Sequence, residues 1–277
     1  MAHLYISDLD GTLLDSSTQV SKRSASLINE AIGRGALFTV ATARTPATVE
    51  ILLKDIDLSL PAIVMTGAAM WDHRTSRYVG ERLIDDELSR KAVAIFREAG
   101  LEPFMYCING NMLDVYHHGP LTREEQAFVD ARSGLKLKEF HLDSSLLQVE
   151  QAEGVILIFG MGDNELLSHI AGNLDPDRYS VSFYEDNVST LYYIEVFAAG
   201  VSKAAAVERL AAMTGADEIT VYGDNLNDIS MMSVATDPVA VANAKPPVMT
   251  AAARKIASND DDAVALDVAA NFLSHEQ

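Results

Sequence analysis

Short apolar runs separated by amphipathic stretches mark the first third of the chain. Leu4-Tyr5-Ile6 reads as a buried strand, and Ser21 is placed to cap a helix carrying Ile28, Ala31 and Ile32 on one face before Gly33 and Gly35 end it. Residues 36–41 (ALFTVA) read as a second strand, Thr45 and Pro46 as the N-cap and first residue of a second helix, and residues 62–65 (AIVM) as a third strand. Strand, helix, strand, helix, strand predicts a parallel sheet with right-handed crossovers.

The texture changes between about residue 82 and residue 192. Residues 104–108 and 112–117 flank Asn109-Gly110-Asn111 and predict an antiparallel hairpin. Helical stretches lie at 86–99 and 121–131. A buried run at 155–159 (VILIF), a helix at 164–171 and strands at 180–184 and 190–196 continue a mixed pattern. From Ser202 the alternation returns, with a helix to Met213, a strand at 218–222, a helix at 227–234, a short strand at 238–241 and helices within 246–253 and 262–273. The expected fold is an α/β, Rossmann-like parallel sheet built from residues 1–81 and 193–277, with residues 82–192 inserted as a separate α+β domain.

Composition narrows the functional classes. The single cysteine, Cys107, excludes an intramolecular disulfide and a thiolate zinc cluster. The amino-terminal stretch meets its first charge after only seven residues, and no run of about 18 apolar residues follows, so no membrane segment is expected and the protein is read as cytoplasmic. Asn187-Val188-Ser189 matches a glycosylation acceptor, read here as a chance occurrence. A formal net charge of −19 argues against nucleic acid or anionic membranes as partners. The same charge repels phosphate, so a phosphate-handling site needs a metal or a few placed basic residues.

Ligands of open parallel sheets bind beyond the carboxyl ends of the strands, and four polar clusters fall at such places. Asp8-Leu9-Asp10-Gly11-Thr12 follows the first strand and offers two carboxylates for nucleophilic or acid/base work. Thr42-Ala43-Arg44 follows the second, with a hydroxyl and amides suited to a phosphate. Lys203 opens a helix after Gly200-Val201-Ser202, and Gly223-Asp224-Asn225-Leu226-Asn227-Asp228 is an acidic turn suited to a hard cation. Taken singly, each is an ordinary turn, cap or surface charge. An EF-hand reading of Asp8 to Gly11 fails because Gly is fourth and the twelfth position is Gln19; His117-His118 lacks ligands at metal spacing.

In this order, the four clusters resemble the haloacid dehalogenase superfamily of phosphohydrolases, with DLDGTLL (8–14), the Thr of ATAR (41–44), Lys203 and GDNLNDISM (223–231) as its four signatures. The insertion resembles the large cap of the Cof-like branch, whose members mostly hydrolyse sugar phosphates and similar small phosphate esters. The resemblance implies Asp8 as nucleophile forming an aspartyl-phosphate and Asp10 as acid and then base. It implies Mg²⁺ held by Asp8, the Asp10 main-chain carbonyl and Asp224. Thr42, the amides of Leu9 and Ala43, Lys203 and Asn227 would surround the phosphoryl oxygens, with Asp228 behind Lys203 or the metal. Arg44 and the loops at 109–111 and 185–190 become candidate substrate contacts, with a cap that closes over the leaving group. Two departures stand out: Ala43 where the branch has Gly, and Thr66-Gly67 where it often has Asn-Gly. Competing readings are phosphomannomutase-like transfer to a sugar and a ligand-sensing module without catalysis; the intact Asp8, Asp10, Lys203 and Asp224 argue against the latter.

Overall fold

The computed structural model describes residues 2–145, 148–149, 152–185 and 191–274. The Asn187-Val188-Ser189 pattern and nearly all of the 185–190 loop lie outside them. The chain divides into two compact units, Met1–Val79 with Ser202–Gln277, and Gly80–Val201.

The first unit is a five-stranded sheet ordered Arg254–Lys255, Asp237–Ala240, Ala216–Gly223, Ala2–Ser7, Leu37–Val40, parallel throughout. Ala2–Ser7 is an interior strand, and its Leu4 and Ile6 have no exposed surface, which is why it reads as a continuous apolar run rather than an alternating one. It pairs with Ala216–Gly223, so segments from opposite ends of the chain are neighbours and the insertion leaves the sheet continuous. Ser21 accepts a hydrogen bond from Ser24 N at the start of the Lys22–Gly33 helix, as expected of its cap.

The third predicted strand behaves differently. Ala62–Val64 touches the parallel sheet through one bridge, Ala41 to Ile63, and otherwise begins a three-stranded antiparallel meander with Ala69–Asp72 and Arg77–Val79. Those two further strands carry their own turn, and Trp71 and Tyr78 pack edge to face at 5.0 Å.

The second unit is a six-stranded sheet ordered Tyr179–Glu185, Tyr192–Ala198, Val155–Gly162, Phe104–Asn109, Met112–Tyr116, Lys138–His141. All pairs are antiparallel except the last. The second join therefore lies after Val201 rather than after residue 192, because Tyr192–Ala198 is paired on both sides within this unit. Lys138–His141 is an edge strand whose charges hide it from a hydrophobic pattern. Helices Asp86–Glu98 and Asn164–Asn173 cover one face, where Val93, Phe96, Leu167 and Ile170 meet Met105, Cys107, Ile158 and Ile194. Burial pushes the Cys107 thiol up to about 12, leaving it an inert core group. Among the described residues no helix is long and apolar enough to cross a membrane.

His117 is 1% exposed and lies against the Phe104 ring at 4.5 Å. Burial holds its pKa below the ordinary 6.5 against the opposite pull of Glu125 and Glu102. A depressed histidine contributes stability that is complete above the unfolded value and is lost as pH falls below it. Denaturant unfolding of the protein between about pH 7 and about pH 5 should therefore show a shallower loss of stability in His117→Leu than in the wild type; parallel curves would remove this residue from the acid response.

Candidate active site

Each candidate side chain is delivered by a strand end or the turn that follows, except Lys203, which opens a helix. Asp8 leaves the Ala2–Ser7 strand with its N–H donating to Tyr222 O at 2.9 Å, which ties it to the neighbouring strand. The chain then turns tightly through Leu9–Leu13, and Gly11 makes the turn possible at φ +75°. A side chain there would also meet Asp224: a Cβ on Gly11 would sit 2.6 Å from Asp224 Oδ2. Thr12 Oγ1 instead donates to Asp224 Oδ1 at 3.0 Å. Asn243 Nδ2 donates to Gly11 O at 2.7 Å, a contact that no sequence signal marks.

Lys203 begins the Lys203–Thr214 helix behind its Ser202 cap and is 1% exposed. Its Nζ donates to Asp8 Oδ1 at 2.5 Å and to Asp228 Oδ1 at 2.7 Å. The other oxygen of Asp228 accepts from the main-chain N–H groups of Asp224 and Asn225 at 3.1 and 3.0 Å. Asp228 thus fixes both the lysine and the acidic turn. Gly223 permits this approach, since a Cβ there would lie 2.6 Å from that of Asp228.

Carboxylate oxygens of Asp8, Asp224 and Asp228 come within 4.8 Å of one another. Three carboxylates around one ammonium leave a surplus of negative charge, and the titration behaviour reflects it. Burial, then Asp228, raises Asp8 well above the carboxylate range although Lys203 opposes the rise. Burial and Asp228 likewise push Asp224 up to about 6. Burial alone would lower Lys203, but the charges of Asp228 and Asp8 outweigh it and raise its pKa. All-oxygen donors with excess negative charge suit a hard divalent cation such as Mg²⁺.

The remaining candidates separate into two groups. Arg44 holds the Asp10 carboxylate in a bidentate pair, Nε to Oδ2 at 2.7 Å and Nη2 to Oδ1 at 2.6 Å. Thr42 is 1% exposed, and its Oγ1 accepts from Arg44 N at 3.1 Å. Leu9 is buried, Ala43 half-buried, and Asn227 exposed on the turn Leu226–Asp228. Asp10 thus faces Arg44, while Asp8, Asp224, Asp228 and Lys203 form a contiguous polar cluster.

A family profile described as haloacid dehalogenase-like hydrolase matches residues 5–266. The chain belongs to this family. It is a phosphatase of the Cof-like branch, a phosphoric monoester hydrolase acting on small phosphorylated metabolites. It is 24% identical over 273 residues to the 5-amino-6-(5-phospho-D-ribitylamino)uracil phosphatase YwtE of Bacillus subtilis, covering 93% of this chain and 94% of that protein. It is 26% identical over 253 residues to the HMP-PP phosphatase of Cronobacter sakazakii, covering 90% of this chain and 87% of the relative. The fold is that of a haloacid dehalogenase-like hydrolase from Bacteroides thetaiotaomicron, with a TM-score of 0.78 at 21% identity, spanning 98% of this chain and 100% of the other. The inserted unit is accordingly the cap of the phosphatase.

Thr66 now has a physical reading. Met65, Thr66 and Gly67 all have positive φ, at +48°, +57° and +96°. The turn is held by Met65 N donating to Arg44 O and Thr66 N donating to Thr42 O, both at 3.0 Å. The left-handed region suits Asn and Gly and strains a β-branched side chain, which accounts for a preference for Asn here. Thr66→Asn should raise unfolding free energy by about 1 kcal/mol, measured by denaturant titration; a neutral or destabilising result would mean the threonine makes a compensating contact.

Proposed function

We propose that the phosphatase hydrolyses sugar phosphates and similar small phosphate esters in two displacements through a phosphorylated Asp8, with Mg²⁺ as cofactor. The observation that carries this reading is the buried ammonium of Lys203 held between Asp8 and Asp228 beside Asp224. The curated relatives named above support the substrate class, since both are phosphatases of small phosphorylated molecules.

In the first displacement an Asp8 carboxylate oxygen bonds to phosphorus while the phosphorus–oxygen bond to the leaving group breaks, and Asp10 gives its proton to that oxygen. In the second, Asp10 removes a proton from water as the water oxygen attacks phosphorus, which frees Asp8 and inorganic phosphate. Arg44 holds the Asp10 carboxylate between these steps and releases it when Asp10 carries the proton. Lys203, Thr42, Asn227 and the amides of Leu9 and Ala43 supply donors for the phosphoryl oxygens, where charge spreads in the transition state. Asp8, Asp224 and the Asp10 main-chain carbonyl would hold Mg²⁺, which supplies charge neutralisation between nucleophile and phosphoryl group.

Asp8→Asn should abolish phosphate release from a panel of phosphorylated metabolites with the fold intact by circular dichroism. Wild-type turnover in that variant would refute the nucleophile. Asp10→Asn should slow turnover by about 100-fold or more and leave phosphoenzyme detectable after acid quench. Transfer to a second sugar without free phosphate would favour the mutase-like alternative.

Asp224 adds a pH signature. A carboxylate raised to about 6 from an ordinary 3.8 favours the folded state at low pH, and that contribution is lost as pH rises through 6. A cation competes with the proton for the same oxygens. Mg²⁺ should therefore raise the thermal midpoint at about pH 7.5 and hardly at about pH 5. Equal shifts at both values would exclude Asp224 from the metal site.

A further inference from the structure

One surface turn grips both acidic segments of the site. After the strand Asp237–Ala240 the chain turns through residues 241–245, where Ala244 N donates to Val241 O at 3.0 Å. From this turn Lys245 N donates to Asp224 O at 2.8 Å, and Asn243 Nδ2 donates to Gly11 O at 2.7 Å. The main chain at Asp224 and the main chain next to Asp10 are thereby fastened to residues two apart. The other end of the Asn243 amide is used as well. Its Oδ1 accepts from Asn259 N at 3.1 Å, and Asn259 Nδ2 donates to Leu14 O at 2.8 Å, just beyond the Leu9–Leu13 turn.

Gly11 shows why the turn needs a fastening. Its place against Asp224 leaves no room for a Cβ, and a residue without one has few steric limits on the direction of its carbonyl. Asp10 stands at ψ 117° and Gly11 at φ 75° and ψ 3°, so these two residues set the directions of both the Asp10 and the Gly11 carbonyls. A donor aimed at Gly11 O removes the freedom that the glycine introduces. An amide is the side chain for this position, because it offers a donor to Gly11 O and an acceptor to Asn259 N at once; a carboxylate has no donor to give. Asn243 is exposed, and a hydrogen bond open to water adds little to global stability. What it fixes is local geometry.

We propose that Asn243 is a positioning residue for the metal site, holding Gly11 O so that the Asp10 main-chain carbonyl keeps its direction beside Asp224. The inference rests on the reading of Asp8, Asp224 and the Asp10 carbonyl as the groups that hold Mg²⁺. Asn243 acts through the turn and takes no part in the displacements. Asn259, bonded to Leu14 O at the far end of the turn, belongs to the same network without touching Gly11, and so supplies the comparison.

Mg²⁺ titration of the thermal midpoint of the whole protein at about pH 7.5 tests this without reference to turnover. Asn243→Ala should raise the half-saturating Mg²⁺ concentration severalfold while its metal-free midpoint stays within a few degrees of wild type. Asn243→Ser, whose hydroxyl is too short to reach Gly11 O, should behave alike and decides the matter where the alanine variant does not fold. Asn259→Ala should leave the half-saturating concentration unchanged. The Mg²⁺ concentration for half-maximal phosphate release should follow the same order among the variants, with KM for the phosphate ester at saturating Mg²⁺ unchanged. Unaltered Mg²⁺ binding in the Asn243 variants, or an equal loss in Asn259→Ala, overturns the positioning role alone. A wild-type midpoint that Mg²⁺ does not move overturns the metal reading and this role with it.

Discussion

The ion pair of Lys203 with Asp8 and Asp228 is the interaction on which the phosphatase unit depends. It joins the end of the Ala2–Ser7 strand, the start of one helix and the acidic turn after the neighbouring strand, with Lys203 and Asp228 side chains fully excluded from solvent. Removing one partner from such a buried group leaves the others uncompensated, at a cost of about 3–5 kcal/mol. The same bonds orient Asp8, since a carboxylate with one oxygen committed to an ammonium has the other free for chemistry. Under the proposed mechanism, structural and chemical demands therefore fall on the same atoms. The two glycines flanking the cluster serve this closeness, Gly11 beside Asp224 and Gly223 beside Asp228, where any side chain would separate the groups.

Charge is distributed to suit that arrangement. A strongly acidic protein that handles phosphate needs cations placed locally, and the structure sets Lys203 on the carboxylates and Arg44 on Asp10. The surplus of negative charge around Lys203 suits a divalent ion, while Arg44 meets Asp10 in a more open setting. Two aspartates two residues apart thus acquire different environments from the turn between them, the condition under which neighbouring carboxylates take different roles. Elsewhere charge is tied up structurally, as where Arg254 bridges Asp237 and Asp267 at the sheet edge.

Much of this was legible along the chain. Apolar runs at Leu4–Ile6, 36–41 and 155–159 marked buried strands because a strand covered on both faces has no polar phase to interrupt it. Ser21 and Ser202 marked helix starts because a hydroxyl there answers an otherwise free amide. Asp8, Thr42, Lys203 and Asp224 stood out by type and by position after strands. Less visible were elements whose pattern was short or charged. The meander at 69–79 and the edge strand at 138–141 have too few residues for periodicity to register, and the inserted unit runs on to Val201 because Tyr192–Ala198 pairs with Tyr179–Glu185 and Val155–Gly162, which only the assembled sheet reveals.

The sequence by itself determined the layering, the family and the residues able to do chemistry, because burial periodicity and side-chain type are local properties. Only the tertiary structure decided which of those residues meet: that Asp228 holds Lys203, that Asp10 faces Arg44, and that Thr66 takes a left-handed backbone. These are outcomes of distances between strand ends and of what the fold leaves beside each charge. Coulomb energy and desolvation depend on those distances and surroundings, which no one-dimensional pattern contains.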